Sequence, residues 1–80
     1  MVQQSKSMEP VFGALRIEIG EYIKSIREKK GLSQDKLSAM MNISRSTISK
    51  IENGKFAISV DYLEKFAFYL DFDVRVFEKE

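Results

Sequence analysis

The sequence predicts one small, mainly α-helical domain that ends in a single β-strand, and three observations carry this prediction. The chain has 80 residues, which is the length of a single domain with one hydrophobic core. In four segments, apolar residues recur every three or four positions, which is the period of an amphipathic helix. Close to the end, apolar and charged residues alternate, which is typical of a half-buried strand.

The first predicted helix spans about residues 14–30. Lys29 and Lys30 lie in its last turn, where positive charge is favourable to the helix dipole. Gly31 follows and can adopt the left-handed backbone conformation that ends many helices. The apolar face of this helix consists of Leu15, Ile19, Ile23 and Ile26.

Three more helices are each predicted to begin after a serine, because a serine hydroxyl can accept the unpaired N–H groups of a first helical turn. Asn42 and Gly54 follow two of these helices and tolerate left-handed backbone. The three helices cover about residues 34–41 after Ser33, 45–53 after Ser44 and 60–70 after Ser59. Their inward positions are Leu37, Met40, Met41, Ile48, Ile51, Leu63, Phe66, Ala67 and Leu70.

The predicted strand covers residues 72–77. A strand cannot satisfy its own backbone hydrogen bonds, and no other segment of the sequence is typical of a strand. We therefore expect it to pair antiparallel with the same strand of a second subunit. Phe72, Val74 and Val76 share one face and form the expected dimer interface, while Asp73, Arg75 and Phe77 occupy the other face.

The composition argues against an enzyme. The chain contains no Cys and no His, which excludes thiolate and imidazole chemistry and almost every zinc site. Its acidic residues accompany no nucleophile, metal-ligand set or glycine-rich loop. We expect no catalytic residue, no metal and no cofactor. The first seven residues lack an apolar segment, and the longest apolar run covers only residues 66–70. The sequence thus predicts neither a signal peptide nor a membrane helix. The expected location is the cytoplasm.

Charge is distributed unevenly along the chain. Residues 16–56 carry nine Lys/Arg and five Asp/Glu, a net charge of +4, whereas residues 57–80 carry three and six, a net charge of −3. A basic middle next to an acidic end predicts that only one part of the chain faces a polyanion. This signal is unspecific by itself, because such an imbalance arises easily by chance.

The central stretch has the spacing of a helix-turn-helix. Only residues 42–44 separate its two short helices, and in that motif the second helix enters the major groove of DNA. An ordinary solvated helix face would be the alternative explanation for the polar residues of the second helix. Its exposed positions are donors or small hydroxyls without a carboxylate: Arg45, Ser46, Thr47, Ser49 and Lys50.

Two stretches, Gly-Leu-Ser-Gln-Asp-Lys-Leu-Ser at 31–38 and Ile-Ser-Arg-Ser-Thr-Ile-Ser-Lys-Ile-Glu-Asn-Gly-Lys at 43–55, make the sequence resemble a known family. It is similar over about residues 16–70 to the phage Cro/repressor, or xenobiotic-response-element, helix-turn-helix family. The resemblance implies a four- to five-helix lambda-repressor-like bundle that binds double-stranded DNA as a homodimer. Asn42 and Ser38 depart from the family's usual Gly and Ala, and both are sterically tolerable. The C-terminal strand resembles the antitoxin branch.

The motif also suggests roles for individual residues. Arg and Lys pair with guanine and Ser with either kind of base, so the candidate base contacts are Arg45, Ser46 and Lys50. The resemblance implies that Arg27 and Glu52 form a structural ion pair between the first and third helices. The resemblance also implies contacts to the DNA backbone from Gln34 and from Ser44, which acts first as a helix cap. The other candidate backbone contacts are Thr47, Asn53 and Lys55.

The sequence predicts a flexible N-terminal arm at 1–12, a helix-turn-helix DNA-binding domain at 13–70 and a C-terminal strand for dimerisation at 71–80. Two functions remain open. The first is a dimeric repressor that binds a palindromic operator through the third helix. The second is an antitoxin that neutralises a partner toxin and represses its own promoter. A helix-turn-helix fold used only for protein contacts is a weaker third option, because the candidate DNA contacts Gln34, Arg45 and Lys50 are all present.

Overall fold

The computed structural model describes residues 13–79 and contains four helices. The predicted N-terminal arm at 1–12 lies outside the described residues. The predicted helices are confirmed, with the first and the third each ending one residue earlier than expected. They are α1 (Ala14–Lys29), α2 (Gln34–Met41), α3 (Arg45–Glu52) and α4 (Val60–Leu70). No described helix is both long and apolar enough to cross a membrane.

The three predicted serine caps are present. Ser33, Ser44 and Ser59 each accept a hydrogen bond from the backbone N–H three residues further along, at 2.9, 3.0 and 3.0 Å. All three serines have extended backbone, which is the conformation of a residue that enters a helix. These local bonds fix where α2, α3 and α4 begin.

The helix ends also share one geometry. The chain turns through a left-handed residue after each helix, at Gly31, Asn42, Gly54 and Asp71. The N–H of the following residue then bonds to the carbonyl five positions earlier, as Leu32 does to Arg27 and Phe72 to Ala67. Asp71 was not expected in this role, although Asp visits the left-handed region more readily than most residues.

The helices enclose one hydrophobic core. α1 packs against α3 and α4, and α2 packs against the same two helices. Gly20 in the middle of α1 is buried, and its backbone lies against the end of α3. The seven buried apolar residues are Ile23, Leu37, Met41, Ile48, Ile51, Phe66 and Leu70.

The prediction of a C-terminal strand is wrong for the single chain, since residues 72–79 are irregular. A strand needs a hydrogen-bonding neighbour, and within residues 13–79 the chain supplies none. Phe72 packs on the core and meets the Tyr22 ring edge-on at 5.2 Å. Val76 and Phe77, in contrast, are 95% and 84% exposed. Of the alternating segment 72–77, only the first residue, Phe72, therefore packs on the core.

Candidate nucleic-acid interface

Helix α3 presents its polar face to solvent because its apolar residues are buried beneath it. Ile48 and Ile51 belong to the core, one helical turn apart. Arg45, Ser46 and Lys50 lie on the exposed side of the helix. The cap at Ser44 starts α3 immediately before Arg45 and so places Arg45 in the first turn.

An open depression, here named the basic groove, runs along this exposed side. It holds three positive side chains, and none of its described lining residues carries a carboxylate. Its lining residues are Gln34, Arg45, Ser46, Ser49, Lys50, Asn53 and Lys55. The groove thus brings together all three candidate base contacts and three of the five candidate backbone contacts. Their contact with DNA stays a prediction. Ser49 also lines the groove. From the sequence alone, this serine was equally compatible with an ordinary surface position.

Ser44 and Thr47 lie outside the basic groove. Their hydroxyl oxygens are 2.7 Å apart, and the Thr47 backbone N–H donates to the Ser44 hydroxyl. Both hydroxyls are thus engaged in the cap of α3. A phosphate contact from either residue stays a prediction.

Arg45 has a carboxylate neighbour that the sequence did not reveal. Its Nε lies 3.5 Å from Oδ1 of Asp35, in the first turn of α2. Both side chains are more than half exposed, so the pair adds little stability. It joins the starts of the two helices of the motif across the turn.

Arg27 and Glu52 form an ion pair in the interior. Nε of Arg27 donates to Oε2 of Glu52 at 2.7 Å, and Nη2 donates to Oε1 at 3.1 Å. Nη1 of Arg27 donates to the Leu32 carbonyl at 2.6 Å. The hydrogen bond to Glu52 raises the pKa of Arg27 above its usual value although burial opposes this, so the guanidinium is charged. The pair joins α1 and the loop before α2 to the end of α3.

Glu52 has a second partner, Gln34. Nε2 of Gln34 donates to Oε1 of Glu52 at 3.0 Å. One buried carboxylate therefore contacts α1 through Arg27 and α2 through Gln34. No local pattern in the sequence announces this contact, because the two residues are 18 positions apart.

The turn after α3 is held from α1. Nε of Arg16 donates to the Gly54 carbonyl at 3.1 Å. Gly54 has a φ of 70°, and a Cβ at this position would lie 2.7 Å from the Ile17 side chain. Glycine therefore serves both the left-handed turn and the close approach to α1. Lys55 follows directly and lines the basic groove.

The fold is that of a DNA-binding transcriptional regulator with a helix-turn-helix. The sequence profile of the helix-turn-helix family matches residues 23–77, more than half of the chain. The chain belongs to this family, in its Cro/C1-type form. The expected family is thereby confirmed.

Relatives come from phages and from restriction–modification systems. The ImmF control region 10 kDa protein of Bacillus phage phi105 is 32% identical over 59 residues, which cover 74% of this chain but only 66% of that protein. Control protein C.MunI of Mycoplasma sp is 40% identical over 52 residues, 64% of this chain and 70% of that protein.

A solved structure shares the fold. The restriction-modification controller protein C.AhdI from Aeromonas hydrophila superposes with a TM-score of 0.70 and is 30% identical. The match covers 75% of this chain and 91% of that chain. The mainly helical architecture agrees with the expected bundle, and the match extends well beyond the two helices of the motif.

Proposed function

We propose that the chain is a dimeric, sequence-specific repressor of the control-protein type, which binds a palindromic operator through α3. The basic groove is the observation that carries this proposal. It gathers Arg45, Lys50 and Lys55 with amide and hydroxyl donors on one open face. Such a surface suits both the phosphates and the base edges of a DNA major groove.

The side chains divide into two roles. Arg45, Ser46 and Lys50 project from α3 itself and are assigned to base edges, where Arg and Lys bind guanine O6 and N7. The flanking residues set the position of α3 on the duplex through sequence-independent contacts to phosphates. They are Gln34, Ser44, Thr47, Asn53 and Lys55.

A second copy of the chain completes the operator-binding unit in this proposal. Large apolar side chains stand exposed at the end of α4 and in the tail, which comprises residues 72–79. Among them are Phe68, Val74, Val76 and Phe77. A two-fold partner would cover them and would place the two α3 helices about one DNA turn, ~34 Å, apart. Bound in this way over a promoter, the dimer blocks the polymerase.

The antitoxin alternative has less support. The phage relative is named for a control region, and the other two proteins described above are named as control or controller proteins. No feature of residues 13–79 favours a toxin as partner over DNA. Copurification of a small protein with the chain expressed from its native locus would restore that alternative.

Selection of bound duplexes from a random DNA pool, at two salt concentrations, tests the proposal. We expect a palindromic site whose affinity falls steeply with salt. Arg45→Ala/Lys50→Ala should abolish the preference for this site. Lys24→Ala/Lys29→Ala removes the same charge at exposed positions outside the basic groove and is the matched control. Recovery of no preferred sequence by the wild-type protein would refute the proposal.

A further inference from the structure

The contact between Gln34 and Glu52 connects the core of the protein with the basic groove. Gln34 is the first residue of α2 and lines the groove, whereas Glu52 is the last residue of α3 and is 5% exposed. The bond of 3.0 Å between Nε2 and Oε1 therefore joins an interior carboxylate to a group on the proposed DNA-binding surface.

This bond fixes the direction of the amide. A carboxylate only accepts hydrogen bonds, so the Nε2 side of the amide must face Glu52. An amide nitrogen carries two N–H donors, and Glu52 takes one of them. The second donor is left for another acceptor, and Gln34 lines the groove together with Lys50 and Lys55.

Arg27 neutralises the negative charge of Glu52, which would otherwise repel a phosphate bound at the nearby surface. Its Nε donates to Glu52 Oε2 at 2.7 Å and its Nη2 to Oε1 at 3.1 Å, so both carboxylate oxygens are bound. The pair is neutral as a unit, so Glu52 can orient an amide without repelling DNA. Because Arg27 also binds the Leu32 carbonyl at 2.6 Å, the loop that leads into α2 is fixed by the same group.

We propose that Glu52 is a positioning residue for operator binding, which holds the Gln34 amide so that its second N–H donates to a DNA phosphate. Arg27 supplies the charge that makes this arrangement neutral. The inference rests on the proposed function, since it specifies how one member of the DNA-binding surface is prepared before DNA arrives. Preparation of this kind lowers the entropy lost when the contact forms.

A mutant cycle on the selected operator tests this role. In the wild-type background, Gln34→Ala should weaken binding about tenfold, the equivalent of one hydrogen bond to a charged acceptor. Arg27→Met/Glu52→Leu replaces the ion pair by apolar side chains and removes the acceptor. In that background Gln34→Ala should change affinity less than twofold. Arg27→Met/Glu52→Gln restores an acceptor at position 52 without charge and should restore most of the effect of Gln34→Ala.

A second measurement covers the case in which the apolar pair fails to fold. In the ¹⁵N-labelled wild-type protein, the two Gln34 side-chain amide protons should differ in shift and exchange slowly, and the outer one should move on operator binding. Replacing single operator phosphates by methylphosphonate should remove that movement at one position.

The outcomes separate the two proposals. If the wild-type protein selects an operator but Gln34→Ala costs the same affinity in every background, or the Gln34 amide signals do not respond to operator, the positioning role is overturned and the proposed function stands. If the wild-type protein selects no operator, the proposed function itself has failed.

Discussion

Gly20 in α1 lies directly against the backbone carbonyl of Ile51 in α3, with no space for a side chain between them. A Cβ at position 20 would also lie 2.9 Å from the Glu52 carbonyl oxygen. The two helices therefore touch at the level of their backbones, at the end of α3 that carries the buried ion pair. A glycine inside a helix normally weakens it, and here that cost permits the close approach of α1 to α3.

The first prediction concerns this contact. Gly20→Ala should destabilise the fold by about 1–3 kcal/mol, because the methyl group meets backbone atoms that cannot rotate away. Thermal unfolding followed by circular dichroism measures the change. Ser25→Ala, at an exposed position of the same helix, is the control and should leave the melting temperature nearly unchanged. A rise in stability, as expected for Gly to Ala in an open helix, would contradict the close approach.

The second prediction concerns the buried pair. Arg27→Met or Glu52→Leu alone should each cost about 3–5 kcal/mol, because either change leaves a buried charge without its partner. The double change should cost clearly less than the sum, since apolar side chains of similar volume can replace a buried pair at little net cost. Urea unfolding of the four proteins gives the coupling free energy. A coupling near zero would show that the two groups do not interact in solution.

Local patterns explain why the helices could be predicted. The boundaries of α2, α3 and α4 follow from bonds between Ser33, Ser44 or Ser59 and a backbone N–H only three residues away. Such bonds depend on neighbouring residues alone, so the sequence contains all the information. The same holds for Gly31 and Gly54, which end helices through their own backbone freedom.

Contacts between distant segments could not be predicted in this way. Gln34 and Glu52 are both polar, and only the packing of α2 on α3 reveals that one binds the other. From the sequence, Gly20 is only a residue that weakens α1, and its close contact with α3 is visible only in the fold. The family resemblance suggested Arg27 with Glu52, whereas periodicity alone marked neither residue.

The tail shows a different limit. Alternation at 72–77 indicates two environments on the two sides of the segment, but it does not supply the backbone that a strand must pair with. Within residues 13–79, the left-handed turn at Asp71 directs Phe72 back onto the core, and the following residues remain exposed. The sequence does alternate apolar and charged residues here, but the strand predicted from that alternation is absent from residues 72–79.

The third prediction separates phosphate contacts from base contacts. Lys55→Ala should weaken binding to all DNA sequences alike and reduce the slope of log affinity against log salt by about one. Arg45→Ala should instead cost roughly 1–3 kcal/mol on the selected operator and relax discrimination at one base pair. Fluorescence anisotropy at several salt concentrations measures both effects. Lys24→Ala is the control for loss of one positive charge, and an equal slope change there would remove the assignment of Lys55.

The fourth prediction concerns the exposed tail. A chain that ends at Asp73 keeps Phe72 and its edge-on contact with Tyr22 but lacks the exposed apolar residues that follow. It should retain its helical circular dichroism and melt close to the full chain at low concentration, where neither protein is dimeric. At higher concentration it should sediment as a monomer or weaker dimer and bind the operator poorly, because the proposed two-fold interface has lost Val76 and Phe77.

Phe72→Ala in the full chain is the matched comparison for the tail. It should lower the free energy of unfolding by at most about 3–4 kcal/mol, because Phe72 is a large aromatic residue that is only partly buried. Dimerisation should persist through the remaining tail residues. The two variants thus divide the tail into a part that serves the fold of one chain and a part assigned to a second copy. If the shortened chain still forms a tight dimer in sedimentation and binds its operator normally, the interface lies elsewhere. The exposed Phe68 on α4 would then be the residue to change next.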